Sequence, residues 1–179
     1  MEVVQLRLNG LMLLKPKVFK DSRGFFLESY NETVYKNMGI HTPFVQDNHS
    51  WSQKDTIRGI HFQSDPGQAK LMRVASGKIF DVAVDIRKDS PTYGQWEGVV
   101  LDGEDHHQLF IPVGFAHGFC VLSENAHVIY KTSSVYNPAT EMGFHWDDPA
   151  INIQWPVKNP IVSDRDRSAP LLKNVFEAK

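Results

Sequence analysis

Cysteine occurs once in the 179 residues, at Cys120. One thiol cannot close an intramolecular disulfide, which excludes a staple-dependent secreted scaffold and makes a reducing cytoplasm the expected compartment. Charge of one sign is equally scarce. Nineteen basic residues stand against twenty-one acidic ones, a net charge of −2, so neither nucleic acid nor an anionic membrane is an expected partner. Any polyanion would have to meet locally concentrated cations. Long hydrophobic runs are missing too: MEVVQLRLNGLMLLKPK is broken by Glu2, Gln5, Arg7 and Asn9, too often to span a bilayer. It also lacks the basic start and small-residue cleavage site of a secretory leader, so none is expected. With no repeat, low-complexity tract or Gly/Ser-rich linker, one domain over residues 1–179 is expected.

What is present is the balance of a globular domain, 41% apolar and 22% charged residues. A chain of this length buries roughly 70% of its unfolded surface, enough for a core without a structural metal. Short alternating segments dominate: residues 11–14, 24–30, 44–50, 70–75, 78–87, 96–101, 108–111, 117–122 and 126–134 read as strands. Turn chemistry separates them, at Ser76-Gly77, Ser90-Pro91, Asp102-Gly103, Pro112-Val113-Gly114 and Ser123-Glu124-Asn125. In 78–87, Phe80, Val82, Val84 and Ile86 fall on one face and Asp81 and Asp85 on the other, so that strand is expected to bury one side and wet the other. Helical signal is confined to a short segment that Asn31 can cap and Gly39 can stop. The expected fold is all-β, an antiparallel jelly roll of the cupin type with short peripheral helices.

In such a barrel the informative residues are polar ones in strand positions. Arg58-Gly59-Ile60-His61-Phe62-Gln63 puts a cation and an imidazole in a strand-like run, with a glycine suited to a bulge or a close backbone approach. Pro112, Gly114 and His117 form a Pro-x-Gly-x-x-His pattern entering a second apolar run. That pattern is half of the cupin metal signature. The other half fails, because Gln63 stands where a second histidine belongs and no glutamate follows at the usual spacing. Two histidines without a third strong ligand seldom hold a catalytic zinc or iron, so neither metal nor cofactor is expected. A histidine oriented by a carboxylate can still work as a base. Asp81, Asp85 and Asp166 are the candidates for that carboxylate, and spacing does not choose between them.

Seven collinear segments resemble the dTDP-4-dehydrorhamnose 3,5-epimerases: residues 21–28, 46–50, 58–63, 80–87, 112–119, 130–132 and 146–149. A closing Ser163-Asp164-Arg165-Asp166-Arg167-Ser168-Ala169-Pro170 is similar to the end of that family. The resemblance implies a homodimeric, metal-free cupin that acts on dTDP-4-dehydro-6-deoxy-D-glucose, inverting C3 and C5 beside the C4 ketone. By position it makes His61 the base, Asp166 its partner, Tyr130 the acid on the opposite face, and Lys70 the cation near the developing O4 charge. His117 becomes a hydrogen-bonding neighbour. Arg23 and Arg58 match substrate-holding positions and Tyr136 the residue stacked on thymine. Phe26, Glu28, Gln46, Asp47, Asn48, Glu141 and Arg165 match positions around nucleotide and sugar.

The chain departs from the family pattern between Ser50 and Arg58, at Phe62 and at Cys120, while the catalytic set is intact. These departures keep open a mono-epimerase acting at C3 or C5 alone. Two further readings compete: a metal-dependent cupin enzyme held by His61 and His117, and a silent nucleotide-sugar binding module. The module leaves an intact base and acid set unexplained.

Overall fold

The computed structural model describes residues 1–176; the last three residues of the expected domain, 177–179, lie outside the described residues. The strands β1 (Glu2–Gln5), β2 (Met12–Lys15), β3 (Phe19–Asp21) and β4 (Gly24–Phe26) precede the helix α1 (Glu32–Asn37). There follow β5 (Gln46–Gln53), β6 (Ile57–Gln63), β7 (Lys70–Ser76), β8 (Lys78–Asp85), β9 (Trp96–Asp102), β10 (Gln108–Ile111), β11 (Phe115–Val121), β12 (Asn125–Thr132) and β13 (Glu141–Gly143). Two one-turn helices, α2 (Asp164–Arg167) and α3 (Leu172–Val175), come last.

One sheet has the order β1-β2-β10-β7-β12-β5 and the other β13-β6-β11-β8-β9, with β3 and β4 as a separate hairpin. From β5 to β8 the chain changes sheet at every strand, the jelly-roll pattern, and every pairing between named strands is antiparallel. Side-chain alternation then builds three apolar layers. Met72, Val74, Leu109 and Val128 from one sheet meet Ile79, Ala83, Phe115 and Val121 from the other in the central core. Val82, Val84, Ile60 and Phe62 face outward and are covered by Phe144, Ile151, Ile153, Leu172 and Val175 of the C-terminal segment. Met12, Leu14, Leu71 and Phe110 are covered on their side by Tyr35 and Ile40.

This layering corrects the expectation for residues 78–87. Both faces of β8 are dry. The apolar face lies under the C-terminal segment, and Asp81 and Asp85, each 0% exposed, lie on the other side. Asp85 is satisfied there by Arg87, Ser90 and Thr92. Burial alone would raise its carboxyl, but these hydrogen bonds take it far below the ordinary carboxylate value. The segment 24–30 is a strand only to Phe26, because beyond it the Ser29 carbonyl accepts from the Tyr35 hydroxyl and the Gln108 amide instead of a neighbouring strand. The Asn31 helix matches expectation: the Asn31 side chain accepts from the N–H groups of Thr33 and Val34, and Gly39 follows with φ +91°.

Candidate active site

A cavity of about 800 Å³ opens between the two sheets beyond the apolar core. Period-2 alternation decides which side chains reach it. On the edge strand β5, Gln46, Asn48, Ser50 and Ser52 turn inward, whereas Asp47 points outward and is ion-paired with Lys131 at 2.9 Å. On β12, Tyr130 faces the cavity, and on β7 Lys70 does.

The strand β6 breaks the alternation where the chemistry needs it. Arg58 and His61 are three residues apart, a spacing that puts side chains on opposite faces of a regular strand. Here Arg58 pairs with Phe119 and His61 with His117, so two residues of β6, Gly59 and Ile60, oppose only Gly118 of β11. This bulge returns Arg58 and His61 to the same cavity. Glycine is required at its centre: Gly59 has φ +130°, and a Cβ there would stand 2.6 Å from the Gly118 Cα.

His61 Nε2 is 2.6 Å from Asp166 Oδ1, and the second carboxylate oxygen accepts from the Gly59 N–H at 3.2 Å. Burial pushes the Asp166 carboxyl up. The hydrogen bond and charge of His61, the Gly59 N–H and the Ser163 contact pull harder the other way, leaving it below the usual carboxylate range. Asp166 is therefore the ionised partner, and His61 keeps Nδ1 as its remaining ring nitrogen. Asp166 reaches this place because Ser163 caps α2 by accepting from the Asp166 N–H.

Tyr130 stands on the sheet opposite His61, so the two face one another across the cavity. Burial pushes its phenol up, Arg58 opposes and Glu141 reinforces the rise. Lys70 is 7% exposed, and burial lowers its ammonium to about 8 against the pull of Asp81 and Glu141. His117 is held through Nε2 by Asp81 Oδ1, while Asp81 Oδ2 has no partner among the described residues. Of the three candidate carboxylates, Asp166 thus serves His61, Asp81 serves His117 and Asp85 serves Arg87.

At the mouth, Tyr136 donates its hydroxyl to Glu141 at 2.8 Å and its N–H to Gln46 at 2.9 Å. Arg165 holds the other Glu141 oxygen at 3.0 Å. Arg58 Nε donates to Ser52 Oγ at 2.8 Å and Nη2 to the Trp51 carbonyl at 3.4 Å, which ties its guanidinium to β5. One cavity thus gathers eleven of the fifteen expected residues: His61, Tyr130, Asp166, Lys70, Gln46, Asn48, Arg58, His117, Tyr136, Glu141 and Arg165.

Arg23, Phe26, Glu28 and Asp47 do not line it. Arg23 pairs with Asp21 on the exposed β3–β4 hairpin, Phe26 is 69% exposed, and Glu28 accepts from Asn31. Sequence reasoning missed Ser52, which orients Arg58, and Asp81 as the partner of His117. The only trace of the latter was an acidic residue inside a strand, and that trace was misread as a wet face.

The profile of a family described as dTDP-4-dehydrorhamnose 3,5-epimerase matches residues 5–174. A protein of that name from Shigella flexneri is 52% identical over 168 residues, 93% of each chain. Among solved structures, a dTDP-6-deoxy-D-glucose-3,5-epimerase from Legionella pneumophila in complex with dTDP-4-keto-L-rhamnose superposes with a TM-score of 0.93. It is 46% identical, with 96% of this chain and 93% of that one covered. A 3′-monoepimerase from Streptomyces bikiniensis in complex with dTDP-quinovose superposes with a TM-score of 0.90 at 34% identity, covering 96% and 88%.

Proposed function

The chain belongs to the dTDP-4-dehydrorhamnose 3,5-epimerase family and is an epimerase; from that premise we propose how its residues carry the reaction. The substrate is dTDP-4-dehydro-6-deoxy-D-glucose. Its C3 and C5 hydrogens are acidic because the C4 ketone can take up the electron pair. His61 Nδ1 removes the proton, the C–H bonding pair moves toward O4, and the enolate oxygen develops its charge beside the Lys70 ammonium. Asp166 stabilises the imidazolium through Nε2. Tyr130 then delivers its proton to the same carbon from the other face, the ketone re-forms, and the carbon is inverted. Solvent reprotonates the phenolate and removes the proton from His61. Base, acid and cation are all side chains, so the proposed reaction calls for neither metal nor cofactor.

One observation carries this reading: His61, tethered to a buried ionised carboxylate, faces Tyr130 and Lys70 across a single cavity. Arg58 and Arg165 suit the diphosphate, since a guanidinium fork matches phosphate oxygens, and Tyr136 is placed at the mouth for the thymine ring. His117, Gln46 and Asn48 offer hydrogen bonds around the sugar and nucleotide.

Arg23, Phe26 and Glu28 enter through a second copy of the chain. They lie on or beside an exposed hairpin that also shows Phe19 and Phe25 to solvent, 52% and 56% exposed. A homodimer that seats this hairpin over its partner's mouth buries those rings and supplies a further arginine to the nucleotide. Asp47 is not part of that set, because it points away from the cavity and is neutralised by Lys131. We assign the protein as one domain working in the cytoplasm, on the single thiol; no helix among the described residues is long and apolar enough to cross a membrane.

The test is solvent exchange in deuterated water with the authentic ketosugar, read by NMR. Deuterium is expected at both C3 and C5, and His61→Asn is expected to abolish it. Label at one carbon alone favours the second reading, a mono-epimerase, which the likeness to the Streptomyces bikiniensis enzyme keeps in play. Exchange that survives in His61→Asn removes His61 as the base.

A further inference from the structure

Both oxygens of the Glu141 carboxylate are occupied by the protein itself, one by the Tyr136 hydroxyl at 2.8 Å and one by Arg165 Nη2 at 3.0 Å. These two partners fix the orientation of the carboxylate and leave each oxygen a further lone pair. The position of Glu141 in the fold suggests a further task. Glu141 lies on β13, which pairs with β6 so that Glu141 is opposite Gln63 and Gly143 opposite His61. Arg165 and Asp166 are neighbours on α2, a helix of four residues. Two side-chain rungs therefore join this helix to the paired strands: a hydrogen bond between Asp166 and His61 on β6, and an ion pair between Arg165 and Glu141 on β13. One turn of helix has no stability of its own; backbone hydrogen bonds of Ile161 with Asp55 and Ile57, and of Pro170 with His145, hold the chain on either side of it, and the two rungs with the Ser163 cap set how its side chains meet the strands.

We propose that Glu141 is a positioning residue for the reaction: by anchoring Arg165 it fixes α2, and through α2 it aligns Asp166 on the His61 ring. Because the same carboxylate accepts from Tyr136, it also ties the rim of the nucleotide end to the alignment of the base. A pair with the arginine side chain 57% exposed contributes little to folding, so its use lies in geometry rather than stability. The charge reaches the other reacting groups as well. Around Tyr130 stand Arg58 of β6, which lowers the phenol, and Glu141, which raises it. Around Lys70 stand Asp81 of β8 and Glu141, both favouring the ammonium against its burial. Loss of the Glu141 charge moves both groups downward, and both must be protonated to work.

The inference rests on the epimerase reading. Exchange by the unmodified protein is measured first, and its absence overturns that reading rather than this one. Glu141→Gln is then compared in two backgrounds at saturating substrate. In the otherwise native chain it is expected to lower kcat by about 10- to 100-fold, the cost of a slightly misplaced catalytic group, with the loss of dTDP affinity passed on through Arg165 and Tyr136 smaller than the loss of kcat. In Asp166→Asn, where the rung to His61 is already weakened, the same substitution is expected to cost less than about 3-fold. The alkaline limb of the native-background profile is expected to move to lower pH. Equal costs in both backgrounds, or a raised KM with kcat intact, would overturn the proposal. Should Glu141→Gln fail to fold, Glu141→Asp, which keeps the charge but shortens its reach to Arg165, repeats the comparison, and unfolding of both variants contradicts a role in geometry alone.

Discussion

At the scale of single residues, the catalytic set is defined by what burial does to each charge. Lys70 is the most exacting case: burial brings its ammonium down to about 8, even though Asp81 and Glu141 hold it up. The ammonium must be charged to stabilise an enolate oxygen, so kcat should fall as pH rises through that value. Lys70→Met should remove this limb and lower kcat by about 100- to 1,000-fold, the usual cost of losing one oxyanion partner, and a pH–rate profile of both proteins checks it. An alkaline limb unchanged in Lys70→Met would assign it to another group. The residues of this set and the pairing of His61 with Asp166 were legible from the family motifs, but the partner of His117 was not. Alternation in 78–87 separates Asp81 from Val82 correctly, yet it says only that the faces differ, and the face read as wet is dry. That His117 rather than His61 takes Asp81 depends on β8 lying next to β11, a long-range pairing with no local trace.

At the scale of elements, the site owes its shape to irregularities more than to regular strands. Most strands were visible because their apolar residues alternate, and the Asn31-capped helix because its cap and its glycine stop are local signals. The short pieces β1, β3, β13, α2 and α3 were not read from the sequence, since three or four residues give an unreliable pattern and tertiary contacts hold these in place. Two of these unseen pieces, β13 and α2, bring Glu141, Arg165 and Asp166 to the cavity. The bulge in β6 was foreshadowed by Gly59, and it is the feature most sensitive to a single methyl group. Gly59→Ala should destabilise the fold by about 1–3 kcal/mol from backbone strain alone, with the clash against Gly118 added to it. It should lower activity beyond what the remaining folded fraction explains, because Arg58 and His61 lose their common face. Thermal melting paired with kcat per folded molecule measures both, and full specific activity in the folded fraction would show that the bulge is dispensable.

At the scale of the whole molecule, the four expected residues that miss the cavity are as informative as the eleven that line it. Asp47 is excluded by strand alternation, which the sequence already contained: if Gln46 and Asn48 point inward, the residue between them cannot. Arg23, Phe26 and Glu28 lie on or beside the exposed hairpin instead, and under the proposed dimer a second copy supplies them. Mixing two inactive variants tests this. A chain carrying His61→Asn and a chain carrying Arg23→Ala, unfolded and refolded together, should regain activity through hybrid dimers, because one of the two hybrid sites combines an intact His61 with an intact hairpin. No recovery in hybrids shown to form would place Arg23 outside the partner's site. The central claim is that base and acid stand on opposite faces of the sugar. Tyr130→Phe in deuterated water tests it most directly: the account predicts that deuterium still enters beside the ketone, now with the original configuration retained. Inversion at the unmodified rate in that variant would contradict it.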